Sequence, residues 1–449
     1  MKRHALLLTI LGLLLMTTVK AQDGLDRSSI EVINDMAPGW NLGNTLEGVA
    51  TWAGVDFLNN KGGLGAETAW QGTKTTQAII DYVKSLGFKS VRIPCAWAYG
   101  HISNADTYEI DSQWMNRVKE VVDYCINDGL YVVLNDHWDG GWVERSFEDT
   151  SNSTVTLNCE RMKKLWTQIA NEFHDYDEHL IFAGLNEPSV ENATQMAALL
   201  RYEQAFIDAV RATGGNNTRR ILVVQGPSTD IDRTVELMNT MPTDVVDGRL
   251  MVEVHYYSPW NFALRTGADG SEVWDRNAYY WGAENHVEGS IHNSTWGEED
   301  YMLAQLQKMK TKFVDNGIPV VLGEYGANWR YANGSGEDQT KHDASVRLFY
   351  KLFNQWCIEM GMVPMAWCIN YMGRPTMTLV NRTSRPVYCT PAMEGIRDAL
   401  VATSIEQPET ERNGAFADDK TYTLSGIRVA DDDLRHGIYI RTGKKIAVK

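Results

Sequence analysis
The chain has 449 residues, a formal charge of −16 and 43% hydrophobic residues. That length suits one large domain with an appendage, or two ordinary domains. The acidic balance excludes a nucleic-acid binder, which needs a basic face. The 15 Trp and 19 Tyr offer flat faces to an uncharged ligand.

In chain order, residues 1–21 (MKRHALLLTILGLLLMTTVKA) carry a basic start at Lys2, Arg3 and His4, an apolar stretch from Ala5 to Met16, and small residues before Gln22. This is the layout of a signal peptide, too short in its apolar part for the roughly 20 residues of a membrane span. No later run reaches that length, so the mature chain is expected to be secreted or held at the cell surface, with no integral membrane segment. The six cysteines, Cys95, Cys125, Cys159, Cys357, Cys368 and Cys389, contain no CxxC pair. Cys95, Cys357 and Cys368 lie in apolar runs and read as buried thiols, Cys159 and Cys389 are candidate exceptions, and the pairing stays open.

Short apolar runs then alternate with helix-period segments. APGWNL (37–42) is followed by a helix over Thr75 to Leu86, where Ile79, Ile80, Val83 and Leu86 share a face. FKSVRIP (88–94), a helix over Ser112 to Asp128, LYVVLN (130–135), a helix over Glu160 to Phe173 and a strand over Leu180 to Leu185 continue the period. A helix near Ala193 to Thr213 precedes RILVVQ (220–225), after which the next helix is poorly defined, and LMVEVH (250–255) follows. Helices near Glu299 to Asn316 and Ala344 to Met360 precede IPVVLG (318–323) and VPMAWC (363–368). Eight continuous apolar strands alternating with helices predict an α/β fold, a (β/α)8 TIM barrel over 22–403. Residues 404–420 are polar and acidic and read as a linker, and 421–449 as a short C-terminal β-rich tail of two or three strands.

In such a barrel, polar residues that finish a strand face the active site. The strands deliver Asn41 and Asn44, Arg92, Asn135 and His137, Asn186 and Glu187, His255 and Tyr257, Glu324 and Tyr325, and Trp367. Glu187, in IFAGLNEPSV (181–190), and Glu324, in VVLGEYG (320–326), directly follow strands four and seven. Cleaving a glycosidic bond requires one carboxyl to protonate the leaving oxygen and another to meet the oxocarbenium-like carbon. His137 and His255 could ligate a metal, but strand one contributes Trp40 and Asn41 rather than further ligands, so no metal and no cofactor are expected.

The series GWNLGNT (39–45), ETAW (67–70), VRIP (91–94), LNDH (134–137), LNEP (185–188), HYY (255–257), GEYG (323–326) and AW (366–367) resembles the successive motifs of family 5 glycoside hydrolases, the cellulase family of clan A, in its endoglucanase-like branch. The resemblance implies that Glu187 is the general acid/base and Glu324 the nucleophile. It makes Asn186 a contact for the sugar 2-hydroxyl, and Asn41, Arg92, His137, His255 and Tyr257 supporting residues, with Trp367 under the ring at the cleavage point. Arg92 and Tyr257 would keep Glu324 ionised, while burial and the Glu324 charge would raise Glu187. His101 is either a subsite residue or a plain surface histidine. Trp138 after His137, and Cys368-Ile369-Asn370 after Trp367, depart from the common pattern and bear on the subsites.

The expected activity is that of a retaining endo-β-1,4-glucanase, acting as a monomer on a β-linked plant polysaccharide. Trp52, Trp70, Trp97, Trp138, Trp142, Trp260, Trp329 and Trp367 are placed in or near an open cleft. Xyloglucanase, mixed-linkage glucanase, xylanase and β-mannanase are alternatives on the same scaffold, and a non-catalytic polysaccharide-binding protein is one from another class. YTLSGIRV and HGIYIRTGKK resemble the sorting tails of exported proteins from Bacteroidetes-like bacteria, implying contact with export machinery; a vestigial small β domain is the alternative.

Overall fold
A computed structural model describes residues 25–267, 277–332 and 336–406, with the backbone of four tail strands. The leader and most of the linker (407–420) lie outside the described residues. Eight parallel strands close into a barrel: β1 (Gly39–Asn41), β2 (Ser90–Ile93), β3 (Tyr131–Asn135), β4 (Leu180–Ala183), β5 (Leu222–Gln225), β6 (Leu250–Tyr256), β7 (Val320–Tyr325) and β8 (Val363–Ala366), each paired to its neighbours and β8 to β1. The helices that follow the eight strands in turn are α1 (Gln77–Ser85), α2 (Ser112–Asn127), α3 (Asn152–Glu172), α4 (Ala193–Ala212), α5 (Ile231–Leu237), α6 (Glu299–Lys312), α7 (Gln339–Glu359) and α8 (Thr390–Glu406). The poorly defined helix after the fifth strand is α5, and α8 runs three residues into the expected linker. The tail forms a four-stranded antiparallel sheet, β9 (Thr421–Thr423), β10 (Arg428–Val429), β11 (Gly437–Arg441) and β12 (Lys444–Val448), where two or three strands were expected.

Two helices begin earlier than their apolar period. Ser151 accepts from Thr154 N–H and starts α3 at Asn152, and Asp338 accepts from Thr340 and Lys341 N–H and starts α7 at Gln339. The caps satisfy otherwise orphaned donors, so a polar first turn is stable ahead of the buried stripe.

Because side chains alternate along a strand, each barrel strand feeds two environments. Val132, Leu134, Phe182, Val224, Val252 and Leu322 pack outward against the helices. Val133, Ile181, Val223, Met251, Val321 and Met365 instead gather with Val32, Ile33 and Met36, whose short helix Ser29–Ile33 stoppers the barrel floor. Farther along the strands the same alternation supplies Asn41, Arg92, Asn135, Gln225 and Glu253, all fully buried. An apolar floor thus carries a polar layer, and the site lies above it.

At the base, Arg220 is fully buried. Its guanidinium donates to the carbonyls of Phe173, Tyr176, Asp177 and Leu180 and to Asn217 Oδ1, joining the end of α3 to β4 and β5. Arg220→Met should leave those carbonyls unpaired and cost about 3 kcal/mol or more. Urea melts are expected to show that loss, and Arg220→Lys should not restore it, since an ammonium cannot reproduce the planar fork.

Candidate active site
Glu187 and Glu324 meet at the barrel mouth. One carboxylate oxygen of each, with a His255 ring nitrogen, lies within 4.8 Å of the others. Glu324 is nearly buried and is held from three sides: Arg92 Nη1 donates to it at 3.0 Å, Tyr257 Oη at 2.9 Å, and His255 Nδ1 stands 3.8 Å away. The Glu187 side chain is 46% exposed to the cleft, and its one close charged partner is His255 Nδ1 at 2.7 Å.

The strand ladder sets this geometry. Val254 pairs with Leu322 but His255 pairs with Glu324, so Gly323 is skipped as a bulge, a device that re-aims the following side chain. Glu324 is thereby turned toward His255. Asn41 donates to the carbonyls of Gly323 and Met365 and accepts from Arg92 at 3.0 Å. It braces the bulge and is itself fully buried. Asn186 accepts from Arg92 Nη2 at 2.7 Å.

The electrostatics reverse one expectation. Against the cost of partial burial, the hydrogen bond and charge of His255 hold the Glu187 carboxyl below its ordinary value. Burial, together with the Glu187 charge, pushes Glu324 up despite His255, Arg92 and Tyr257. Sequence reasoning had these directions the other way round because it could not see that His255 points at Glu187 across an open cleft. Burial disfavours the His255 cation, but Glu324, Glu187 and Glu253 around it push its imidazole up to about 10. A ring protonated at neutral pH has no lone pair for a metal. His137 is the opposite case: burial, with Arg92 and His255 nearby, holds it neutral.

Aromatic groups frame the pair. Trp367 stacks on His137 at 5.7 Å with planes 10° apart, against Gly43, where a Cβ would come within 2.9 Å of the indole. Trp138, Asp139, Gly140 and Gly141 are four successive left-handed residues, a strained run of the kind found at functional sites. The Asp139 carboxylate holds it by accepting from the N–H groups of Ala98 and Tyr99 and from Trp142 Nε1, and Trp138 meets Trp70 and Tyr99. Trp52, Trp70 and Trp260 are exposed, whereas Trp97 and Trp329 are buried and leave the list of cleft residues. Cys389 is buried as well, and all six cysteines are free.

His101 stands apart from this cluster. It is neither a subsite nor a surface residue: it is fully buried, stacked on Trp114 at 3.8 Å with planes 6° apart. Two glutamates were missed. Glu144 accepts the Glu187 N–H at 3.1 Å, and Glu253 lies under Arg92 and His255. Strand alternation could have found Glu253, two residues before His255 and on the same face.

The cellulase model of glycosyl hydrolase family 5 matches residues 53–373. The chain belongs to glycoside hydrolase family 5. This family 5 enzyme is 34% identical over 390 residues to endoglucanase A of Paenibacillus barcinonensis, covering 83% of its own length and 90% of that protein. It is 33% identical over 367 residues to a xyloglucan-specific endo-β-1,4-glucanase of Bacteroides ovatus, covering 80% and 68%. Among solved structures it matches a xyloglucan-specific β-1,4-glucanase from a ruminal metagenomic library, in complex with XXLG, at 46% identity and TM-score 0.76, covering 86% of this chain and 99% of that one. The family 5 chain is accordingly an endo-acting β-glycanase. No helix among its described residues is long and apolar enough to cross a membrane.

Burial lowers His101 from an ordinary 6.5 to about 3. Its contribution is therefore complete above pH 6.5 and is lost as pH falls toward 3, by roughly 3 to 5 kcal/mol at the acid end. His101→Phe should flatten that loss while leaving the neutral-pH activity of the family 5 enzyme intact, as read from urea melts at pH 4 and 7.

Proposed function
We propose that this chain is an exported, retaining endo-β-1,4-glucanase in which Glu324 is the nucleophile and Glu187 the general acid/base. The observation that carries the reading is that one oxygen of each carboxylate lies within 4.8 Å of the other. Retaining enzymes hold this pair about 5 to 5.5 Å apart, whereas inverting enzymes leave a wider gap for water.

In the first step a Glu324 oxygen bonds to the anomeric carbon, the bond to the leaving oxygen breaks, and Glu187 donates its proton to that oxygen. Arg92 and Tyr257 orient the nucleophile, and Trp367 supplies a face for the ring. A glycan in the cleft covers Glu187 and removes the water that solvates it, which favours its protonated form. Once Glu324 is an ester its charge is gone, and Glu187 takes a proton from the water that releases the sugar. Asn186, fixed by Arg92, is placed to meet the 2-hydroxyl.

The exposed tryptophans and the open cleft suit internal segments of a long polymer. Xyloglucan is the second reading, favoured by 46% identity over 86% of the chain to a xyloglucan-specific enzyme. Export rests on the character of residues 1–21, and residues 421–449 are the candidate sorting element.

Glu324→Ala and Glu187→Gln should each lower kcat on a soluble β-glucan by about a thousandfold or more, with melting temperatures near that of the native protein. Turnover unchanged in either variant would remove the assignment. Proton NMR of fresh products should show the β-anomer first. Reducing-end assays on carboxymethyl cellulose, mixed-linkage glucan, xyloglucan, xylan and glucomannan are expected to rank the two β-1,4-glucan-backbone substrates, cellulosic and xyloglucan, above xylan and glucomannan.

A further inference from the structure
Beneath the carboxylate pair lies a third glutamate. Glu253 has no exposed surface. Its Oε1 stands 2.8 Å from Arg92 Nε and 3.3 Å from His255 Nε2, and its Oε2 accepts from Gln225 Nε2 at 2.7 Å. Gln225 is fixed in turn: its side-chain oxygen accepts the Leu185 N–H and its own N–H donates to Glu203, each at 2.9 Å. The bulge on β7 makes the room. A Cβ on Gly323 would fall 1.8 Å from Glu253 Oε1, so the residue before Glu324 has to be glycine while Glu253 keeps its place.

We propose that Glu253 is a positioning residue, which holds Arg92 and His255 in register with the two catalytic carboxylates and supplies the buried negative charge against which both stay cationic. The proposal rests on the roles given above to Glu187 and Glu324. The groups around His255 are Glu187 from the end of β4, Glu324 from β7, Arg92 from β2, His137 from the end of β3, Glu253 from its own strand and Tyr257 just past that strand's end. His137 is neutral, and burial with the Glu324 charge keeps the Tyr257 phenol protonated. Two cations then oppose three carboxylates. With a glycan covering Glu187, the one proton that brings the cluster to neutrality is the proton Glu187 donates. Without the Glu253 charge the same protonated state carries a net positive charge, and either Glu187 or His255 gives its proton up.

The test uses the full chain with isotope-labelled histidine. In the native protein the His255 signal, assigned with His255→Asn, should remain that of an imidazolium through about pH 9; titration near the ordinary 6.5 would overturn the proposal whether or not any variant folds. In Glu253→Gln, His255 should titrate about one to three units lower, and the alkaline limb of kcat should move down with it. KM should change by less than about threefold, since Glu253 does not touch the glycan. An unmoved limb with an unmoved titration would also overturn it. Glu253→Asp keeps the charge and should return the limb part-way, whereas a packing role alone would leave Asp no better than Gln. If the native protein cleaves no β-glucan, the functional reading falls, and the His255 titration still decides the place of Glu253.

Discussion
Everything at the mouth of this barrel depends on a guanidinium with no exposed surface. Burying such a charge is costly unless carboxylates and hydrogen-bond acceptors surround it, and Arg92 is met by Glu253, Glu324, Asn41 and Asn186. These partners come from β6, β7, β1 and the end of β4. One side chain therefore ties together strands on opposite sides of the barrel, and the directions in which the catalytic groups point follow from its demands. The planar fork matters here, because a single ammonium could not address so many acceptors in one plane.

The same requirement explains why the polar layer sits where it does. Below it, Val133, Val223, Val321 and Met365 fill the barrel with apolar volume. Above it, the cleft is open at Glu187 but closed at Glu324. In the layer between, Arg92 and Glu253 have no exposed surface and their charges stand 2.8 Å apart, so the field acting on the two carboxylates is set mainly by fixed protein charges. Water contributes chiefly at the exposed acid/base. This asymmetry between two chemically identical side chains is what permits two roles.

The barrel was legible in the sequence because its strands are buried on both faces and read as unbroken apolar runs. The strand-end residues were legible for the same reason, since each polar side chain interrupts such a run. Helix starts were less so: Ser151 and Asp338 begin helices through caps, a local hydrogen-bond device that leaves no apolar period. His101 misled because a histidine in a polar loop, AYGHISNAD, gives no sign that Trp114, in the first turn of α2, closes over it. The protonation of Glu187 was misjudged because it turns on one contact, from His255, which strand order alone does not reveal. The charged residue inside LMVEVH was visible, but a reading that watches where strands end passes over what they carry within.

The glycine before the nucleophile has a consequence for how this site can change over time. Gly323 and Glu253 compete for one volume, so neither position varies independently of the other. A side chain at 323 becomes tolerable only after the carboxylate at 253 has gone, and once present it would bar the carboxylate from returning. Substitution here is ordered and works as a ratchet. A lineage that abandoned the buried charge could not recover it in a single step, which ties the electrostatics of the site to its history as much as to its chemistry.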